Sequence, residues 1–221
     1  MAWYCSLFHS VKEEIREWIA KGNKAFYANK ALFQSKLVSR RSKLKLYQTV
    51  IRPVVVYGCE TWVLKENIIQ KLSVFERKIL RRIYGPTRNK DGSWKIRNNT
   101  ELDKLIQHRN VINYVKAQRL SWFGHVHRKP ETSTVRKIYK WQPYVTRPAG
   151  RPKHRWDDDV RNDLRRMKLL KWSEQAQDRL EWKKNCRKSQ DSTWVVALIK
   201  KKKKYMVTYV IILQCSKSIN L

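Results

Sequence analysis

The sequence predicts a mainly α-helical protein: a helical bundle, then a smaller C-terminal helical region, a basic linker and a tail outside the fold. Three observations predict it. Apolar residues recur at helical spacing along several segments. Hydrophobic residues make up 42% of the 221, with 10 Trp among them, enough for a buried core in one ordinary or two small domains. Gly and Pro number only six each, which leaves few tight turns.

Residues 10–36 read as the first helix. Ser10-Val11-Lys12-Glu13 has the form of a capping box, and Ile15, Ile19, Gly22 and Phe26 follow at helical spacing. A second helix is expected from Arg40 towards Ile51, ending before Pro53, which lacks a backbone donor and biases Arg52 away from helical geometry. Val54-Val55-Val56-Tyr57 is short and β-branched, so helix and strand both remain open there. Ile68, Leu72, Phe75, Ile79, Leu80 and Ile83 form the strongest apolar stripe, with Lys71, Arg77, Lys78, Arg81 and Arg82 on the remaining surface. That helix stops at Gly85-Pro86, and Asn89-Lys90-Asp91-Gly92 is a hairpin signal.

Thr100-Glu101-Leu102-Asp103 reads as another capping box, and Val111, Val115, Trp122 and Val126 mark one face of a further helix. From Arg128 to Arg155 the chain carries four prolines, many cations and no apolar period, as a linker would. Asp157 is placed to cap a helix bearing Val160, Leu164 and Met167, and Ser173 to cap a last one through Ala176 and Leu180. The pattern breaks from Asp191, and Lys200 to Lys204 form a homopolymer. The organisation is thus 11–85, 86–127, a linker at 128–155, a helical pair at 156–190 and a Lys-rich tail at 191–221.

Lys and Arg number 50 against 18 Asp and Glu, giving a net charge of +32 and a pI near 10.3. A compact body of that charge repels itself unless a polyanion screens it, which points to nucleic acid. The N-terminus has no signal-like apolar region, and the longest apolar run, Met206 to Leu213, falls far short of the roughly 20 residues that span a bilayer. Cys5, Cys59, Cys186 and Cys215 are widely spaced, as free thiols in a reducing compartment are. An intracellular site, nuclear or cytoplasmic, is the expectation, with no membrane partner.

No constellation makes a complete active site. Asp157-Asp158-Asp159 offers carboxylates for metals, but adjacent helical residues point about 100° apart, and carboxylates suit a helix start. Capping, with pairing to Arg155 and Arg161, is favoured over a metal role. His125-x-His127 lacks a third local zinc ligand, so core or surface histidines are favoured. Cations interleave with aromatics from Arg119 to Phe123 and from Lys137 to Trp141, as phosphate contact and base stacking require; periodicity favours the core over stacking for Trp122, while Trp141 fits both equally. Arg147-Pro148-Ala149-Gly150-Arg151-Pro152-Lys153 has the centre of a minor-groove hook, though alanine precedes the glycine where arginine is expected. A basic linker touching phosphates loosely is the favoured reading.

The segment from Leu46 to Trp62, LYQTVIRPVVVYGCETW, resembles the thumb region of reverse transcriptases encoded by non-LTR (LINE-type) retrotransposons. Three further stretches continue the resemblance in order: Phe75 to Pro86, Arg119 to Val126 and Gly150 to Val160. Trp172 to Arg179, with Trp182, closes it, so that it covers roughly Val11 to Lys188.

The resemblance implies a thumb-like bundle at 11–85 that grips template–primer through its backbone, preceded at 1–10 by a remnant of the palm. The family's palm carries a Tyr-x-Asp-Asp turn that holds two metals, and this sequence contains no such tetrapeptide. The expected function is therefore binding of RNA or RNA–DNA duplex without polymerisation, with no cofactor; Mg²⁺ belongs to the intact parent polymerase. Alternatives are a fragment that completes a polymerase with a separately encoded palm and fingers, and a translated relic without selected function. The expected phosphate-binding residues are Lys43, Lys45, Arg52, Arg77, Lys78, Arg81, Arg82, Arg119, Arg147, Arg151, Lys153 and Arg155. Lys200 to Lys204 fit either an adenine-rich element terminus or a polyanion-binding cluster.

Overall fold

Helix α1 (Val11–Ala28) buries Ile15, Gly22 and Phe26, with Ile19 half-buried beside them. The structure, a computed structural model, describes residues 11–107, 109–141 and 155–191. Gly22 lets α1 cross the later helix at Val55 closely, since a Cβ there would overlap Val55 Cγ2. A short α2 (Lys30–Gln34) adds Phe33, whose ring centre is 4.8 Å from that of Phe26.

The helix expected to end at Pro53 instead continues through it. After α3 (Arg40–Leu46), capped by Ser39, the chain makes a π turn at Tyr47–Ile51 and runs into α4 (Arg52–Val55). The wider π turn that precedes α4 leaves room for the Pro53 ring within the continuing helix. The open question at Val54–Tyr57 resolves as helix and turn, burying Val55 and Val56. Gly58 adopts φ 66° to enter a 3-10 turn at Cys59–Thr61, after which Trp62 is fully buried.

Helix α5 (Glu66–Tyr84) buries all six residues of its stripe and ends at Gly85, φ 69°. The Asn89–Gly92 turn then joins β1 (Thr87–Arg88) to antiparallel β2 (Trp94–Lys95), with Thr87 opposite Lys95. The capping box of α6 (Asn99–Leu105) is formed by Asn98 and Glu101, two residues before the expected Thr100 and Asp103. Asn98 is the last extended residue leaving the hairpin, so its side chain is the one that meets the free donors.

Helix α7 (Val111–Arg128) is the spine of the molecule. Its first half packs into a core with α1, α3, α4 and α5 through Val111, Ile112 and Val115. Its second half enters another core, through Leu120 and Phe123, with Val160, Leu164, Ala176 and Trp182. These come from α9 (Trp156–Arg166), α10 (Trp172–Gln177) and α11 (Arg179–Asp191).

Three further details differ from the sequence expectation. The stretch read as a linker holds a short helix, α8 (Thr134–Lys140), because Tyr139 finds the Phe123 ring and the Asp157 carboxylate. The last helix is split at Asp178, whose Oδ1 accepts from the N–H groups of Leu180 and Glu181. Ser173 therefore lies inside α10, and Leu180 is exposed rather than on the buried stripe. Trp122 is 40% exposed, because Phe123 takes the inward position. The Ser10 cap, the Arg147–Lys153 motif, Cys5, Cys215 and Lys200 to Lys204 lie outside the described residues. Among the described residues, no helix is long and apolar enough to cross a membrane.

Candidate nucleic-acid interface

The outer face of α5 follows from its buried one. At about 100° per residue, Arg77 and Arg81 lie on one flank of that face and Lys78 and Arg82 on the other, with exposed Val74 between them. Lys78 and Arg82 are exposed and Arg77 and Arg81 half-exposed. None of the four forms an ion pair among the described residues; Arg81 Nη2 donates to Asn99 Oδ1 at 2.7 Å.

On the α1 side the cations meet aromatic rings. The Arg82 guanidinium lies 5.2 Å from the Phe26 ring centre and 5.5 Å from that of Tyr27, and Lys78 Nζ is 5.9 Å from Tyr27. A hydrogen bond from Arg82, then the positive charge of Lys78, holds the Tyr27 hydroxyl below its ordinary pKa. Alongside runs an open groove of about 660 Å³ between α1 and α5, whose lining includes Arg16, Asn23, Lys71, Val74 and Lys78. The sequence reading missed Arg16 and Tyr27 as parts of this face; projecting α1 onto a helical wheel beside α5 would have found them.

The remaining expected residues divide. Lys45 is exposed and Lys43 half-exposed at the end of α3. Arg155 is exposed ahead of α9. Arg52 lies against Tyr114, 4.2 Å from its ring centre, with Nε buried. Arg119 is a correction: it is 1% exposed and faces Asp159 at 2.9 Å, so its charge is spent inside the fold. Arg147, Arg151 and Lys153 lie outside the described residues.

The acidic triad is dispersed as its helical spacing requires. Asp157 pairs with Arg161 at 2.6 Å and accepts from Tyr139, Asp159 faces Arg119, and Asp158 is exposed. Burial, with the Asp157 hydrogen bond behind it, pushes the Tyr139 hydroxyl up to about 12. His127 bonds through Nδ1 to Phe123 O and sits among Phe123, Tyr139 and Trp172; burial lowers its pKa. His125 points elsewhere, stacked on Trp122 at 5.4 Å. Among the described residues, no three His, Cys, Asp or Glu side chains converge as a metal site would need.

A second basic surface is legible in the sequence only at Trp122, as the stacking alternative to a core position. Gln118, Ser121, Trp122, His125 and Arg128 form a stripe on α7 that faces Arg179, Lys183 and Cys186 of α11 across a groove of about 570 Å³. Trp182 seals its floor, donating from Nε1 to Leu120 O at 2.8 Å. Gly124 permits this approach: a Cβ there would overlap that nitrogen.

The chain is similar to a transposon-derived protein of Caenorhabditis elegans, 25% identical over 152 residues. The match covers 66% of this chain and 54% of the relative, so the chain spans about half the length of the curated relative it matches. No protein-family profile and no solved structure matches the chain.

Proposed function

We propose that the chain derives from a non-LTR retrotransposon reverse transcriptase, as its thumb and downstream region, and that it binds RNA or RNA–DNA duplex without polymerising. The similarity to a transposon-derived protein supports the transposon origin. The observation that carries the binding reading is the outer face of α5, where Arg77, Lys78, Arg81 and Arg82 form no ion pair among the described residues. Such a face suits a phosphate backbone, which is read by charge and spacing rather than by base edges. Tyr27 and Phe26 orient Arg82 beside it.

The test is binding of labelled RNA–DNA duplex across a salt series. Reversing Arg77, Lys78, Arg81 and Arg82 to Glu should weaken duplexes of different sequence alike and flatten the slope of log K against log[salt] by about 3 to 4. A salt-independent affinity would remove the phosphate-gripping model. In primer extension with Mg²⁺ the isolated chain should add no nucleotide, and any extension would overturn the non-polymerising assignment.

A further inference from the structure

We propose that the groove between α7 and α11 is a second nucleic-acid site, selective for single strands, in which an unpaired base stacks on Trp122. The site lies on other helices than the α5 face and does not rest on it.

Two helical stripes build the groove. Ser121, Trp122 and His125 lie between Gln118 and Arg128 on α7, a stripe about 15 Å long. Arg179, Trp182, Lys183 and Cys186 span about two turns of α11 opposite. The helices run antiparallel, since Trp182 bonds Leu120 O while Asn113 bonds Gln190 O. Arg128 and Arg179 therefore share one end, and Gln118 and Cys186 the other, where Glu60 closes the rim.

That polarity selects the occupant. A tryptophan with 40% of its surface open, on a helix whose other large apolar residues turn inward, has no packing role that demands exposure. His125 stacks on it at an interplanar angle of 25°, making a flat platform that a base can extend. Three cations, Arg128, Arg179 and Lys183, flank the platform and match phosphates, while Gln118, Ser121 and Glu60 offer donors and acceptors to a base edge. Arg128 is steadied by donating to Ala176 O at 2.7 Å. A paired base hides its faces in the stack, so a duplex cannot use the platform; an unpaired one can.

The experiment compares a labelled oligothymidylate of about 20 nucleotides, longer than one such site covers, with a blunt duplex by fluorescence anisotropy, using the full chain. Trp122→Ala should weaken single-strand binding about fivefold or more and leave duplex binding unchanged, while Trp122→Phe retains most of the affinity. Circular dichroism verifies that both variants fold. Arg179→Gln with Lys183→Gln should flatten the single-strand salt slope by about 1.4. Reversing the α5 cations should leave the affinity ratio between the natural protein and the Trp122→Ala variant intact, which separates this site from the duplex face. Unchanged single-strand affinity in Trp122→Ala, or an equal loss on duplex, would overturn the proposal. So would displacement of the oligothymidylate by a Glu-rich peptide of equal charge at the same concentration as by unlabelled oligothymidylate.

Discussion

Arg119 Nη2 lies 2.9 Å from Asp159 Oδ2, and one turn away Lys116 Nζ lies 3.1 Å from Asp163 Oδ1. The cations are i and i+3 on α7, the carboxylates i and i+4 on α9, so two rungs join the helices between the two cores. Asp159 also accepts from the Leu64 N–H at 3.0 Å, tying in the segment that leads to α5. Asp159 of the acidic triad thus serves docking, and one cation that composition assigns to nucleic acid is consumed by it.

Removing the carboxylate that faces buried Arg119 strands its charge. Asp159→Ala should cost about 3–5 kcal/mol in urea unfolding, because Arg119 keeps its charge inside the fold. Arg119→Met, which removes the buried charge and keeps apolar volume, should cost clearly less. Equal losses would show that the pair acts only as packing.

Gly124→Ala should destabilise, although alanine is intrinsically the better helix former by about 1 kcal/mol. The new methyl would overlap the Trp182 indole, which is held by its bond to Leu120 O. Overpacking of this kind costs about 1–3 kcal/mol. A raised thermal midpoint would mean that α11 can slide away from α7.

Glu76 is buried in the first core, accepting from Tyr47 Oη at 3.0 Å and from the Val111 N–H at 2.9 Å. Burial raises its pKa from 4.5 to about 7, aided by Asp103 and opposed by those hydrogen bonds and by Arg52. A raised carboxyl favours the folded state while protonated. Its contribution is complete below about pH 4.5 and is lost as pH rises through about 7. Between about pH 5 and 8, stability of the natural protein relative to Glu76→Gln should fall by on the order of 2–3 kcal/mol. Parallel pH profiles in chemical denaturation would refute this.

Cys59 is 1% exposed, and burial pushes its thiol up to about 12. At about pH 8 it should resist iodoacetamide in the folded protein and react fully in urea, as mass mapping would report. Alkylation of Cys59 at equal rates in both states would contradict the packing of the Cys59–Thr61 turn.

The periodic parts of the fold were legible because burial of a helix face is written in its spacing: all six residues of the α5 stripe are inside. Pro53 misled because the propensity argument covers only the α-helix, and the π turn before it absorbs the ring. Tyr139 shows why α8 was missed: one residue making long-range contacts creates no period. The α5 cations could be placed from the wheel, whereas spacing puts Arg119 and Trp122 on the wrong sides. Their positions depend on Asp159, far along the chain, and on Phe123, which competes with Trp122 for the inward position.

Because α7 enters both cores, it acts as a ruler between the α5 face and the α7–α11 groove. One residue inserted between Val115 and Leu120 would swing the second core by about 100° and advance it about 1.5 Å relative to the first. Placed between Arg119 and Leu120, it would also pull both rungs out of phase. The angle between the two surfaces is thereby fixed by the residue count of one helix, so a nucleic acid that engaged both as proposed would meet them at an angle the protein sets beforehand.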